Sequence, residues 1–274
     1  MSTQQEKAER FLAAHRRDSP LLMPNAWDAG IAKLFASLGF TAMATTSSGH
    51  AATLGRLDGG VTFDEVLAHC GAIVGATDLP VSADFENGFA DAPEQVAANG
   101  ALVASTGLAG CSIEDFTRRA DDPIYAIDLA AERVAAAAEA AHHGPDGSRL
   151  VLTARAENLL HGRPDLPDTI ARLLRYLEAG ADVLFAPGWG GPDDIRTIVA
   201  AVDLPVNVLA LPNTPTIAEL AALGVGRVSI GGTFAWVALG AVETAARELL
   251  ESGTYGFHAA AAPGRAAARA AFTA

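Results

Sequence analysis

Eight short apolar runs, each followed by a longer helical pattern, limit what this chain can fold into. The runs fall at Leu21–Met23, Thr41–Thr45, Pro80–Asp84, Gly110–Ile113, Leu150–Thr153, Val183–Phe185, Pro205–Val208 and Arg227–Ile230. Gly-led turns such as Leu38-Gly39-Phe40 and Leu223-Gly224-Val225 sit where helices should end and strands begin. Eight alternations predict an α/β fold, a single-domain (β/α)8 TIM barrel, with a doubly wound sheet as second choice. The 274 residues suit one such barrel, which needs about 250. No linker divides the chain, so 1–274 reads as one domain. Gln4–His15 is expected to close the bottom of the barrel as an N-terminal helix. A C-terminal helical extension, with 251–274 as its tail, is expected to serve oligomerisation.

Composition narrows the function. The formal charge is −13, which repels a phosphate backbone and argues against nucleic acid as a partner. Apolar runs are too short for a membrane span, and Met1 to Arg10 has no apolar stretch to act as a signal. A cytoplasmic protein is expected, and Cys70 and Cys111 suggest no disulfide framework. The chain has two lysines, Lys7 and Lys33, both in amphipathic helical stretches near the N-terminus. Schiff-base chemistry needs a desolvated lysine in the site, so lysine-dependent aldol or pyridoxal-phosphate chemistry is not expected.

Barrel active sites lie at the C-terminal ends of strands, and acids collect there. Asp84 ends the third strand and Glu86 lies two residues on, both pointing to one face of an extended backbone. Glu114 and Asp115 follow the fourth, and Arg155 and Glu157 the fifth. Two like charges at about 4 Å cost on the order of 4 kcal/mol at an effective dielectric of 20. One arginine does not offset three or four acids, whereas Mg²⁺ accepts few carboxylates and several waters or substrate oxygens. No His/Cys cluster has zinc spacing.

The stretches Met23-Pro24-Asn25-Ala26-Trp27-Asp28, Thr45-Thr46-Ser47-Ser48-Gly49, Ser82-Ala83-Asp84-Phe85-Glu86-Asn87-Gly88, Ser112-Ile113-Glu114-Asp115 and Thr153-Ala154-Arg155 together resemble the isocitrate lyase/phosphoenolpyruvate mutase superfamily. The resemblance runs from about Leu21 to Leu250. It implies Mg²⁺ held at Asp84, Glu86 and Glu114, mostly through water and with Asp84 closest. It implies that Ser48 and Gly49 cradle the substrate carboxylate or carbonyl, that Asp58 lies beside metal or substrate, and that Arg155 stabilises an enolate oxygen. Ser47, in the same loop, joins the expected substrate contacts, as does Asn207 at the end of the seventh strand. Arg155, Asp58 and Ser48 are the candidate catalytic residues. Against these readings, Asp58 also suits a plain turn, and Arg155 a structural pair with Glu157. Arg118 and Arg119 read either as a lid or as a wet loop.

Lyases of this superfamily carry a Lys-Lys-Cys-Gly-His-type motif after the fourth strand. Here that loop reads Phe116-Thr117-Arg118-Arg119-Ala120-Asp121-Asp122-Pro123, with no cysteine. The likeness therefore points to the mutase-like branch and not to an authentic isocitrate lyase. The expected activity is Mg²⁺-dependent lysis, decarboxylation or hydrolysis of a small α-keto (di)carboxylate such as oxaloacetate through an enolpyruvate-like intermediate. Phosphonopyruvate C–P chemistry and a non-catalytic keto-acid binder are the alternatives. Superfamily members exchange helices at the C-terminal end, which implies a homo-oligomer, a dimer or tetramer.

Overall fold

A computed structural model describes residues 2–144 and 147–273. The chain opens with α1 (Gln4–Ala13), capped by a reciprocal Thr3–Glu6 pair. The first strand is broken in two, β1 (Leu21–Met23) and β2 (Asn25–Ala26), at Pro24, which has no N–H to give a ladder. The remaining strands are β3 (Met43–Thr45), β4 (Val81–Asp84), β5 (Gly110–Glu114), β6 (Val151–Arg155), β7 (Val183–Phe185), β8 (Val206–Leu209) and β9 (Arg227–Ser229). Between them run α2 (Ala29–Ser37), α3 (Ser47–Thr53), α4 (Phe63–Val74), α5 (Pro93–Ala104), α6 (Ile127–His142), α7 (Leu166–Glu178), α8 (Pro192–Ala201) and α9 (Ile217–Ala222).

All pairings between these strands are parallel. β1 pairs with β9 and β2 with β3, so the Leu21–Ala26 segment closes the ring and the doubly wound alternative falls. Gly39, Gly180 and Gly224 have φ of +91°, +99° and +82°, the left-handed turns that end helices. Three strands extend past the apolar runs of the sequence: Glu114, Arg155 and Leu209 are strand residues. Ser47–Thr53, read as a loop, is a short helix capped by Thr46.

Alternation sorts the strands into two faces. Outward residues such as Val81, Ala83, Cys111, Ile113, Leu152 and Ala154 join the main core beneath the helices. Inward, the floor is a small apolar plug of Leu21, Ala42, Ala109, Val151 and Val183 around Phe11 of α1. A Cβ at Gly110 would lie 2.8 Å from the Phe11 ring. The expected closure of the barrel bottom by the N-terminal segment is thus what the structure has.

The C-terminal segment is helical. α10 (Thr233–Arg247) runs through an irregular turn to α11 (Phe257–Phe272). α11 packs back on α2 of its own chain, where Phe272 approaches Gly30 and a groove is shared with Ile31 and Leu34. α10 is the helix left bare. Its one buried residue is Ala235, while Trp236, Val237, Leu239 and Val242 are 48–66% exposed.

Candidate active site

The site is built where the inward alternation reaches the top of the strands. Arg155 ends β6, and three carboxylates close on it. Nη1 donates to Asp84 Oδ1 (2.8 Å), Nη2 reaches Glu114 Oε2 (3.2 Å), and Nε donates to Glu157 Oε1 (2.7 Å). Arg155 is therefore both the partner of Glu157 and the centre of the acidic cluster. Burial opposes its charge, yet the three carboxylates hold its proton more tightly than usual. The Phe185 ring lies beneath the guanidinium at 5.3 Å.

Each acid is placed by its strand. Asp84 Oδ2 accepts the Ser47 N–H at 3.1 Å, and its own N–H donates to Thr45 Oγ1 at 2.8 Å. Glu114 points inward, while its neighbour Asp115 points outward to Arg172, Tyr176 and the Glu157 N–H. Glu86 sits just past β4 with φ +47°, a conformation non-glycine residues hold only when their surroundings impose it. Its Oε2 is 2.9 Å from Arg118, and its buried Oε1 has no hydrogen-bond partner. Burial, then the Asp84 charge, push its carboxyl up to about 7. Burial also raises Glu114 well above the ordinary carboxylate range, against the pull of Arg155.

Arg118 crosses the mouth. Besides Glu86 it donates to the Gly59 carbonyl at 2.6 Å, and it lies over the Phe89 ring at 5.4 Å. It ties the cysteine-less loop to the loop carrying Asp58. Arg119 instead pairs with exposed Asp91.

Two adjoining cavities, of about 150 and 340 Å³, share Ser47, Asp58, Arg155 and Leu160 in their walls. Ser48 and Asn207 line the inner one with Asp84, while Glu86, Glu114 and Arg118 line the outer one. Gly49 stands behind this wall: its N–H goes to Thr46 Oγ1, and a Cβ there would meet Thr46 and Trp27. The glycine is closely packed there and is not among the residues lining either cavity.

Two sets of residues escaped the sequence reading. His161 lines the outer cavity, 3.9 Å from Glu157 and stacked on Phe116 at 3.7 Å. Burial lowers its pKa. The second set, Ser82, Ser112, Arg227 and Ser229, lines the inner cavity below the acids. Period-two counting back from Asp84 and Glu114 would have found Ser82 and Ser112.

The donors fit Mg²⁺. They are carboxylate oxygens, hard ligands, one of them buried and unsatisfied. Four carboxylates against two guanidiniums leave a formal excess of two negative charges. Among the described residues no group of three or more His, Cys, Asp or Glu side chains is arranged to hold an ion directly.

Comparison with known proteins agrees with this geometry. The phosphoenolpyruvate phosphomutase family matches over residues 11–250. An uncharacterized protein of Mycobacterium tuberculosis is 34% identical over 223 residues, 81% of each chain. A solved Burkholderia cenocepacia protein, provisionally named a lyase/mutase, is 51% identical with a TM-score of 0.92, covering 97% of this chain and 95% of its own. Phosphonopyruvate hydrolase, solved with oxalate and Mg²⁺, is 25% identical with a TM-score of 0.80, covering 92% and 88%. This chain belongs to the phosphoenolpyruvate phosphomutase family, within the isocitrate lyase/phosphoenolpyruvate mutase superfamily of lyases and mutases acting on small keto acids.

Proposed function

We propose that this chain is a Mg²⁺-dependent carbon–carbon lyase, decarboxylase or hydrolase of a small α-keto dicarboxylate such as oxaloacetate, working through an enolate. The observation that carries this reading is the clasp of Arg155 by Asp84, Glu114 and Glu157 beside the unsatisfied Glu86 oxygen. Asp84, Glu86 and Glu114 would hold the ion. When bound, Mg²⁺ supplies Lewis-acid polarisation of the substrate carbonyl and carboxylate.

The chain's own residues do the rest. Arg155 is a fixed cation aimed at the negative charge that develops on the enolate oxygen. Ser47 and Ser48 hold the substrate's polar end against the inner wall, and Asn207 bounds the cavity lower down. Asp58 lines both cavities from the loop after α3 and positions substrate there. Arg118, bridging Glu86 and the Asp58 loop, excludes water from the reacting end. His161 lines the outer cavity beside Glu157. Its lowered pKa keeps Nε2 neutral near pH 7, free to take the proton in the bond-breaking step.

The test is turnover of a panel of α-keto acids with Mg²⁺ and with EDTA, identifying each product. Oxaloacetate should be consumed with Mg²⁺ alone. Metal-independent turnover, or none on any α-keto acid, sinks the reading. C–P cleavage of phosphonopyruvate is the second reading, supported by the likeness to phosphonopyruvate hydrolase, and released phosphate distinguishes it.

The assembly we propose is a homo-oligomer, dimer or tetramer, with a second copy covering the bare apolar row of α10. We place the protein in the cytoplasm, where the buried free thiols Cys70 and Cys111 stay reduced. Among the described residues no helix is long and apolar enough to cross a membrane.

A further inference from the structure

The inner cavity carries a positive charge that the chain leaves without a counter-ion. Arg227, on β9, is 2% exposed and forms part of the cavity lining. Nε donates to Asn207 Oδ1 at 2.9 Å, and Nη1 reaches Thr153 Oγ1 at 3.1 Å and His15 Nε2 at 3.2 Å. His15 Nδ1 faces the Phe11 carbonyl at 2.7 Å, so Nδ1 is the donor and Nε2 the acceptor. None of these partners is negative. Among the described residues no carboxylate lies within 4.0 Å of Arg227, and its Nη2 makes no hydrogen bond. Arg133 is as deeply buried without a carboxylate, but three carbonyls and the Tyr125 ring surround it.

The cavity that Arg227 lines has a mixed wall, Met23, Ala44 and Phe185 beside several hydroxyls, where barrels of this kind are filled with branched apolar side chains. Ser82, Ser112 and Ser229 line it. Ser229 Oγ accepts from Asn207 Nδ2 at 2.9 Å, which leaves its own O–H to donate. Buried guanidiniums are costly unless paired. One that faces a cavity walled by hydroxyl donors is matched by an anion in that cavity, and Arg's planar fork suits a carboxylate.

We propose that the lower half of the inner cavity is a carboxylate subsite, in which Arg227 with Ser82, Ser112 and Ser229 takes the substrate carboxylate remote from the reacting carbonyl. The substrate's identity here rests on the function proposed above; the carboxylate site does not. A substrate would span the two levels, its reacting end at the acidic rim and its far carboxylate at Arg227. The subsite makes the enzyme selective for dicarboxylates over keto acids with an apolar far end.

The test is thermal unfolding of the full chain in EDTA, titrated with malonate and, at matched ionic strength, with chloride. Malonate should raise the wild-type midpoint with a saturating response, and chloride should not. Arg227→Gln should bind malonate about ten- to a hundredfold more weakly, the loss expected for a charge-assisted pair. Ser112→Val narrows the space without touching Arg227's bonds and should weaken malonate at least several-fold, which decides the matter if Arg227→Gln does not fold. Equal malonate responses in wild type and the variants overturn the proposal. An equal effect of chloride overturns it too, by making the site one for inorganic anions. In turnover, Arg227→Gln should raise the KM for oxaloacetate by the same factor and leave kcat within a few-fold; an unchanged KM removes the substrate from the subsite. Absence of turnover in the wild type counts against the proposed function only, because the malonate titration reads Arg227 without catalysis.

Discussion

Arg155 and Arg227 stand at two levels of one barrel and have opposite surroundings. Arg155, at the rim, is clasped by three carboxylates, with a fourth acid at the mouth. Arg227, below it, has only neutral partners. The rim has more negative charge than the chain balances, and the lower level has an unbalanced positive one. The difference teaches that the fold does not aim to neutralise its own interior. It leaves one level short of a cation and the other short of an anion, which is what a metal-assisted site for a dicarboxylate requires.

The largest expected effect breaks the rim. Asp84→Ala should lower metal-dependent turnover by about a thousandfold or more, the scale of losing a metal-ordered charge array, with an unchanged circular dichroism spectrum. Glu157→Ala should cost less activity, because Glu157 holds Arg155 and not the ion. Equal losses in the two variants would mean the metal is misplaced here. His161→Gln comes next, with a loss of about a hundredfold in kcat. If its pH–rate profile keeps the wild-type acidic limb, His161 is not the proton-transfer group.

The two levels should also respond to pH with opposite sign, read as unfolding midpoints in EDTA. His15 touches Arg227, and burial followed by the Arg227 charge lower its pKa from 6.5 to about 3. Its contribution is full above pH 6.5 and is lost as pH falls toward 3, amounting to about 2 kcal/mol by pH 5. His15→Gln, which keeps a donor and an acceptor, should make that acid limb shallower, the remainder belonging to His69, which burial likewise lowers to about 3. Glu86 is raised from 4.5 to about 7. Its contribution is full below pH 4.5 and is lost as pH rises through 7, so Glu86→Gln should flatten the alkaline side. A profile unchanged by both variants would remove the contrast between the levels.

The smallest effect on chemistry concerns assembly. Val237→Glu with Val242→Glu, at the bare face of α10, should shift light scattering to the monomer mass. Truncation after Leu250 should instead expose the α2 groove and lower the melting midpoint by several degrees. A monomeric wild type would end the oligomer proposal.

What the sequence disclosed follows from periodicity. Strand positions, and Asp84, Glu114 and Arg155 at their ends, were readable because alternation and strand-end chemistry are local. The packing at Gly49 was not legible, because a glycine in a βα loop looks the same whether it meets substrate or Thr46 and Trp27. Arg227 and His161 were not seen because their meaning lies in what is near them in space. An arginine early in a strand says nothing of whether a carboxylate waits across the barrel. The tail's own-chain contact with α2 was equally hidden, since alanine-rich helices suit either kind of partner.

The central claim is that the acidic rim is a magnesium site, and calorimetric titration of Mg²⁺ into wild type and Asp84→Ala tests it most directly. The account predicts one Mg²⁺ per chain in the wild type, and binding weakened at least tenfold in Asp84→Ala. Equal Mg²⁺ binding by the two proteins, or none by the wild type, would contradict it.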